Sequence, residues 1–232
     1  MPIGVWIDNI MVAAGGLAGG HLGKYIPERV KESLNHVFGF AATAVGITLI
    51  IHLNNLGAVV LSVILGAFLG TLLNLESRVN AFFSRLNARI VRGENLDPSC
   101  MSLFATILAL SCCSGAGIFG AMNEALTGDR SAILCKAILD FFTIFIFSAK
   151  LGTFCAVIAL PQAAILGTVF FCAKLIAPLM TPELSGDFSA VGGILELIIA
   201  FRIMKLTQMK ALDALPSLLL IFPVFYLWKM FF

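Results

Sequence analysis

The chain has 232 residues, of which 59% are hydrophobic and 12% charged, and its mean hydropathy is +1.00. Soluble domains usually carry about 25% charged residues, so this composition excludes an ordinary soluble domain and predicts a membrane protein. The formal net charge is only +2, and the sequence has no basic patch with interleaved aromatic residues, which excludes a nucleic-acid-binding protein.

Apolar runs of about 18 residues or more recur along the chain, and each could cross a hydrocarbon core about 30 Å thick. We therefore predict an all-α polytopic protein with about eight transmembrane helices. The first run has Asp8 in its apolar part and no basic segment ahead of it, which predicts a retained helix rather than a cleaved signal peptide. The predicted spans are Ile3–Gly20, Leu34–Ile51, Leu56–Leu73, Met101–Glu124, Ser131–Leu151, Pro161–Met180, Ser189–Met204 and Leu215–Phe232.

The charged residues between these spans predict the orientation of the protein. Basic residues are expected in cytoplasmic loops, and here they cluster after the first, third and seventh spans, whereas acidic residues follow the sixth. This bias places both termini outside and predicts a protein of the cytoplasmic membrane. The basic residues on the inner side are Lys24, Arg29, Lys31, Arg78, Arg85, Arg89, Arg92, Arg202, Lys205 and Lys210.

The spacing of apolar and basic residues at 76–92 predicts an amphipathic helix. This helix would lie in the cytoplasmic interface, with its arginines on anionic lipid headgroups. A lateral gate or a helix that docks a partner is the alternative. Residues 93–100, rich in turn-forming types, form the linker to the second half. The apolar face comprises Val79, Phe82, Phe83, Leu86 and Ile90, and the basic face comprises Arg78, Arg85, Arg89 and Arg92.

An internal repeat relates the two halves of the single membrane domain. The shift that places Gly16 on Gly117 also places Arg29 on Arg130. Three spans precede the second copy, so the copies would be inverted, as in many secondary transporters. The predicted parts are a first repeat at 1–75, the interfacial helix at 76–92, the linker at 93–100, a second repeat at 101–180 and two C-terminal spans at 181–232.

Polar groups concentrate around the fourth and fifth predicted spans. The fourth span is broken at Ser114 and Gly115, and the fifth carries Lys136 and Asp140. An ionised side chain at membrane depth costs roughly 3 kcal/mol unless it is paired or hydrated, and broken helices build many transport sites. The candidate residues for binding a substrate or an ion are Asp140, Glu124, Asn123, Ser114, Gly115, Lys136, Asp129 and Glu196.

Structural explanations exist for several of these residues. Lys136 and Asp140 are four residues apart, so they share a helix face and could neutralise each other. Asp8, near a span end, is expected to reach the interface by snorkelling, as are Lys150, Lys174 and Arg202. The glycines of the first span favour close helix packing, with local unwinding as the alternative.

We predict no enzyme activity and no cofactor, because the histidines do not form a metal-binding spacing and no base accompanies Ser114 as a nucleophile. The three histidines are His21, His36 and His52.

Four segments carry a resemblance to a known family: GGLAGGHLGKYIPERVKESL, GAFLGTLLNLESRV, GAMNEALTGDRSAILCKAILD and SAVGGILELIIAFRIMKL. Together they resemble the YqgA/YdfK-like bacterial integral membrane proteins, called domain of unknown function 554. The resemblance implies a protein of the cytoplasmic membrane with a transport role that is not established. Glu196 and Arg202–Leu206 depart from the family pattern. The matching core positions are Glu124, Gly128, Asp129, Ser131, Lys136 and Asp140.

The sequence thus predicts secondary transport of a small solute or ion, coupled to a cation or to protons. Asp140 and Glu124 would take the cation or a substrate amine, and Ser114 and Asn123 would supply neutral ligands. An ion channel lined by the same residues, or a membrane scaffold without transport, are the alternatives. The expected partners are the solute, the lipid bilayer and a second copy that docks through glycine-rich faces.

Overall fold

The computed structural model describes residues 1–90, 104, 107, 108, 111, 112 and 114–231, and every regular element among them is helical. The predicted linker at 93–100 and most of the first half of the fourth span lie outside the described residues. Short 3₁₀ helices at Thr153–Ile158 and Ala211–Ala214 precede two of the long helices. The helices are α1 (Ile3–Leu22), α2 (Glu28–Ile50), α3 (Leu56–Leu72), α4 (Leu75–Ile90), α5 (Gly115–Thr127), α6 (Ser131–Leu151), α7 (Ala159–Ile176), α8 (Pro182–Ile203) and α9 (Ser217–Phe231).

Length and apolarity agree with a protein that crosses the bilayer several times. Within the described ranges, five helical segments are long and apolar enough to span, against eight predicted. A sixth arises if α3 and the start of α4, which meet at a 57° bend, count as one span, and His36–Ile50 is a shorter apolar helix. The five segments are Ile3–Tyr25, Ser131–Leu151, Thr153–Leu179, Pro182–Ile203 and Ala211–Phe231.

Helix α4 occupies most of the segment that was predicted to be amphipathic. It turns away from α3, and its described surface exposes both a basic and an apolar side chain, Arg85 and Phe82. The side chains at 83, 84 and 86–90 lie outside the described residues, so the rest of the predicted apolar face stays a prediction.

Glycines bring α1 and α6 into backbone contact, and the two helices run parallel. Each four-residue step along α1 meets a four-residue step along α6, so one turn of one helix follows one turn of the other. The adjacent face of α1, at Gly16 and Gly20, packs on the 3₁₀ helix at Thr153–Ile158. These glycines therefore serve packing within the chain, as predicted. The close pairs are Gly15–Phe141, Gly19–Phe145 and Gly23–Ala149.

Other neighbouring helices pack in antiparallel pairs. The α2–α8 and α3–α9 pairs approach through glycines, and α5 reverses into α6 at Gly128, whose φ of 80° suits a residue without Cβ. The contacts that set these directions are Gly39–Met204, Gly46–Gly193, Gly66–Ser217, Gly70–Asp213, Gly117–Lys136 and Gly120–Ile133.

Gly19→Ala should destabilise the protein because the added Cβ would lie 2.6 Å from Phe145 Cα. Overpacking costs about 1–3 kcal/mol, which outweighs the roughly 1 kcal/mol gained in helix propensity. Thermal unfolding of the detergent-purified protein measures the change. Gly167→Ala is the matched control, since nothing lies within 4 Å of its added Cβ. Equal melting temperatures for the two variants would contradict the close contact of α1 with α6.

Candidate functional site

A buried polar network joins α1, α6 and α7. The Lys136 ammonium lies 3.0 Å from Asp8 Oδ2 and also pairs with Asp140 Oδ2, one helical turn along its own helix. Gln162 donates from Nε2 to Asp8 Oδ2 at 2.6 Å and to Asp140 Oδ2 at 3.4 Å. Asp8 and Gln162 are both 0% exposed. Two donors therefore share the same two carboxylate oxygens inside the protein.

The packing of the helices brings these residues together. The parallel contact between α1 and α6 sets Asp8 beside Lys136, and the four-residue spacing places Asp140 on the same face. The chain then turns at Gly152, whose φ is 80°, and the 3₁₀ helix returns it across α1 into α7. Because α7 runs antiparallel to α1, Gln162 arrives at the level of Asp8.

Several oxygen atoms of this region have no hydrogen-bond partner. Among the described residues, they include Asp8 Oδ1, Gln162 Oε1 and Glu196 Oε2, all buried. Such atoms can only accept hydrogen bonds when the carboxylates are ionised, and burying an unpaired acceptor costs about 1–3 kcal/mol. The network thus retains capacity to bind a donor or a cation.

Glu196 and Ser114 lie near the same lysine. Glu196, on α8, is 4% exposed and interacts electrostatically with Lys136 and Asp140. Ser114 is the N-cap of α5 and accepts a hydrogen bond from Gly117 N at 3.1 Å. A Cβ at Gly117 would lie 2.7 Å from Lys136 Cε. The start of α5 is therefore next to the lysine, and the burial of Gly115 lies outside what the structure describes.

Glu124 lies at the other end of α5 and caps α1. Its carboxylate accepts hydrogen bonds from Gly4 N at 2.9 Å and Val5 N at 3.3 Å, and it pairs with Arg130 Nε at 2.9 Å. A carboxylate at a helix N-terminus satisfies amide groups that have no partner within the helix. Glu124 thus holds the start of α1 against the α5–α6 turn.

The α5–α6 turn is closed by Asn123 and Asp129. Asn123 Nδ2 donates to Asp129 Oδ2 at 3.1 Å, and Asp129 Oδ1 accepts from Ser131 Oγ at 2.7 Å and Ser131 N at 3.0 Å. The hydrogen bonds from Ser131 hold the pKa of Asp129 below its usual range. The carboxylate therefore stays ionised and bonded at neutral pH, and this contribution disappears only in strong acid, as the pH falls through the lowered pKa.

Two further buried acids act as Glu124 does. Asp187 on α8 accepts from Asn54 N and Asn55 N, both at 2.8 Å, just before α3. Asp213 accepts from Glu76 N at 2.8 Å, in the first turn of α4. Each of these acids binds backbone amides at the start of another helix. Asp8 and Asp140 differ, because their partners in the structure are side chains, Lys136 and Gln162.

The predicted site residues therefore fall into two groups. Lys136, Asp140, Ser114 and Glu196 belong to the central region, and Asn123, Glu124 and Asp129 belong to the α5–α6 turn. The expectation that Asp8 snorkels to the interface is wrong, because its carboxylate is buried against Lys136.

Gln162 was not among the predicted site residues. A glutamine inside an apolar span is the signal that could have indicated it.

Metal coordination and cavities add little to this site. Among the described residues, no group of three or more His, Cys, Asp or Glu side chains is arranged to hold a metal ion.

A cavity of about 490 Å³ opens between the start of α1 and α7, and its lining is largely apolar. The lining residues are Pro2, Val5, Trp6, Ala163, Ala164, Gly167, Thr168, Phe171 and Cys172.

Comparison with known proteins gives a family and two relatives. The profile described as "Protein of unknown function (DUF554)" matches residues 3–226. "Uncharacterized protein YqgA" of Escherichia coli (strain K12) is 40% identical over 234 residues, covering 100% of both chains. "Uncharacterized membrane protein YdfK" of Bacillus subtilis (strain 168) is 28% identical over 222 residues, covering 94% of this chain and 93% of its own. No solved structure matches. These similarities support a membrane protein and name no substrate.

Lys136→Met should destabilise the protein strongly, because it leaves the carboxylates of Asp8 and Asp140 without their shared cation. Breaking a buried pair by removing one partner costs about 3–5 kcal/mol. Adding Asp8→Asn to that variant should restore part of the loss, since one uncompensated charge is then removed. Thermal unfolding of the purified variants compares them.

Lys150→Met is the matched control for that series. Its side chain is 59% exposed and its ammonium lies 3.6 Å from Glu28 Oε2, and exposed pairs contribute about 0–1 kcal/mol. Equal effects of Lys136→Met and Lys150→Met would show that the network does not hold the lysine as described.

Proposed function

The chain belongs to the DUF554 family, and from its buried network we propose that it is a secondary transporter coupled to a cation or to protons. It would move a small solute or ion across the cytoplasmic membrane. The observation that carries the proposal is a set of three carboxylates around the ammonium of Lys136: those of Asp8 and Glu196, which are buried, and that of Asp140, which is partly buried.

The formal charges of this set do not balance. Three ionised carboxylates and one ammonium leave two negative charges at membrane depth, and intramembrane ionisable residues commonly mark ion pathways and proton relays. Protons, a bound cation or a cationic substrate group would supply the missing positive charge. The network therefore supports a site that gains and releases positive charge during a transport cycle.

Helix directions support the finer architecture that we propose, with eight spans, an inverted repeat and α4 in the cytoplasmic interface. With eight spans, α1 and α6 would run in the same direction, and α2–α8, α3–α9 and α5–α6 in opposite directions, as the glycine contacts have them. The first helix of each half, α1 and α5, then has opposite orientation. The site would lie where the two halves meet, as is usual for inverted-repeat transporters.

The α5–α6 turn would close the outer end of the site in this state. Glu124 connects Arg130 to the start of α1, so separating them would free α1 from α5 and α6 at that end. Rocking of the two halves would then alternate access to the central carboxylates. A homodimer stays a prediction, and its interface would use surfaces other than the α1 glycines, which pack within the chain. We propose no enzymatic reaction.

Transport can be tested with reconstituted proteoliposomes on a solid-supported membrane. Glycine, putrescine and succinate serve as zwitterionic, cationic and anionic probes, each applied with sodium, potassium or pH gradients. A carrier gives a transient current that saturates with probe or ion concentration. Asp140→Asn should reduce that current at least tenfold, because it removes a carboxylate that pairs with Lys136 and Gln162.

Asp213→Asn is the matched control for the transport assay. Asp213 is also buried, but it caps α4, so its current should persist. Currents that do not saturate would support the channel instead. Absence of any current from the folded protein, together with normal folding of an Asp8→Asn, Lys136→Met, Asp140→Asn triple variant, would support a scaffold.

A further inference from the structure

We propose that Asp8 and Gln162 bind one monovalent cation of sodium size between α1 and α7, beside Asp140. The inference rests on the proposed transport function, since it names the coupling ion of that site. It starts from the two oxygen atoms Asp8 Oδ1 and Gln162 Oε1, which are buried and have no hydrogen-bond partner.

The two unpaired oxygens belong to side chains that are already joined. Gln162 Nε2 donates to Asp8 Oδ2 at 2.6 Å. The unpaired oxygens are the second atoms of the same two groups, Oδ1 of the carboxylate and Oε1 of the amide. Nε2 also donates to Asp140 Oδ2, which fixes the amide orientation and leaves Oε1 as the free acceptor. Carboxylate and amide oxygens are the ligand types that hard cations prefer.

The charge around Asp8 selects a monovalent cation. The two carboxylates that pair directly with Lys136, those of Asp8 and Asp140, have with it a formal charge of minus one, which a single positive charge neutralises. Glu196 forms no ion pair with Lys136 among the described residues, so its charge is counted separately. A divalent ion would overcompensate beside the ammonium that lies 3.0 Å from Asp8 Oδ2. The described residues also lack a cluster of three His, Cys, Asp or Glu side chains able to hold a metal ion, whereas divalent sites usually use several such ligands.

Protons should compete with the cation at Asp8. The charged groups near it are Lys136 and Asp140 on α6, with Glu196 of α8 interacting with both. A proton on Asp8 Oδ1 neutralises the same charge, so both cannot occupy that oxygen together. Cation affinity should therefore fall as the pH is lowered.

Cation binding would also alter the contact that joins α1 to α6. Lys136 shares its ammonium between Asp8 on α1 and Asp140 on its own helix. A cation on Asp8 weakens the attraction between Asp8 and Lys136 and leaves the lysine to Asp140. The ion would thereby change how firmly α1 is held at the centre of the protein, which is what coupling to a conformational change requires.

Direct sodium binding tests this proposal without a transport assay. Radioactive sodium is bound to the purified full-length protein and displaced with unlabelled sodium, at fixed ionic strength maintained with choline chloride. We expect saturable binding of one ion per chain. The affinity for sodium should fall at least tenfold as the pH is lowered and Asp8 becomes protonated. Asp8→Asn and Gln162→Met should each weaken binding at least tenfold, and Asp213→Asn should leave it unchanged.

The outcomes separate this inference from the proposed function. Folded wild-type protein that binds no sodium, or that binds it equally well in both variants, would overturn the cation site. Transport driven by a pH gradient in that same preparation would leave the proposed function standing. Two variants are used because either could fail to fold, and size-exclusion chromatography identifies such a failure. If neither variant folds, the wild-type binding stoichiometry and its pH dependence decide.

Discussion

The ammonium of Lys136, shared between carboxylates on two helices, is the interaction on which the centre of this protein depends. It is buried, and it joins Asp8 on α1 to Asp140 on α6. That arrangement is possible because glycines let the two helix backbones touch, which brings a short aspartate within reach of the lysine. Charge and packing are therefore coupled, and a bulky residue at the glycine contact would disturb both.

Among the described residues, acids inside the protein differ in the kind of group that they bind. Glu124, Asp187 and Asp213 bind backbone amides at the starts of α1, α3 and α4, where the helix dipole favours a negative charge. Their burial is explained by structure alone. Asp8 and Asp140 instead share one side-chain ammonium, which leaves one negative charge uncompensated, so structure alone does not account for them. This contrast separates a candidate ion site from helix caps that look the same in sequence.

The large features of the fold were predictable because they follow from local composition and periodicity. Long apolar runs predicted membrane helices, and α6 has the predicted bounds, Ser131–Leu151. The four-residue spacing of Lys136 and Asp140 predicted their pairing. Glycine spacing in the first span predicted close packing but could not name the partner helix, because any apolar helix with a complementary surface would satisfy the same pattern. The eight-span count and the inverted repeat remain proposals.

The sequence by itself determined that this is an all-helical membrane protein with charges buried near α5 and α6. Only the tertiary structure decided which charges meet across different helices. Asp8 is 128 residues from Lys136, and Gln162 is 154 residues from Asp8, so neither contact leaves a periodic signal. Glu124 also binds groups that are distant in sequence, since it caps the start of α1, and this contact leaves no periodic signal either. Periodicity reports which face of a helix is apolar, whereas partners across the protein depend on how the helices pack.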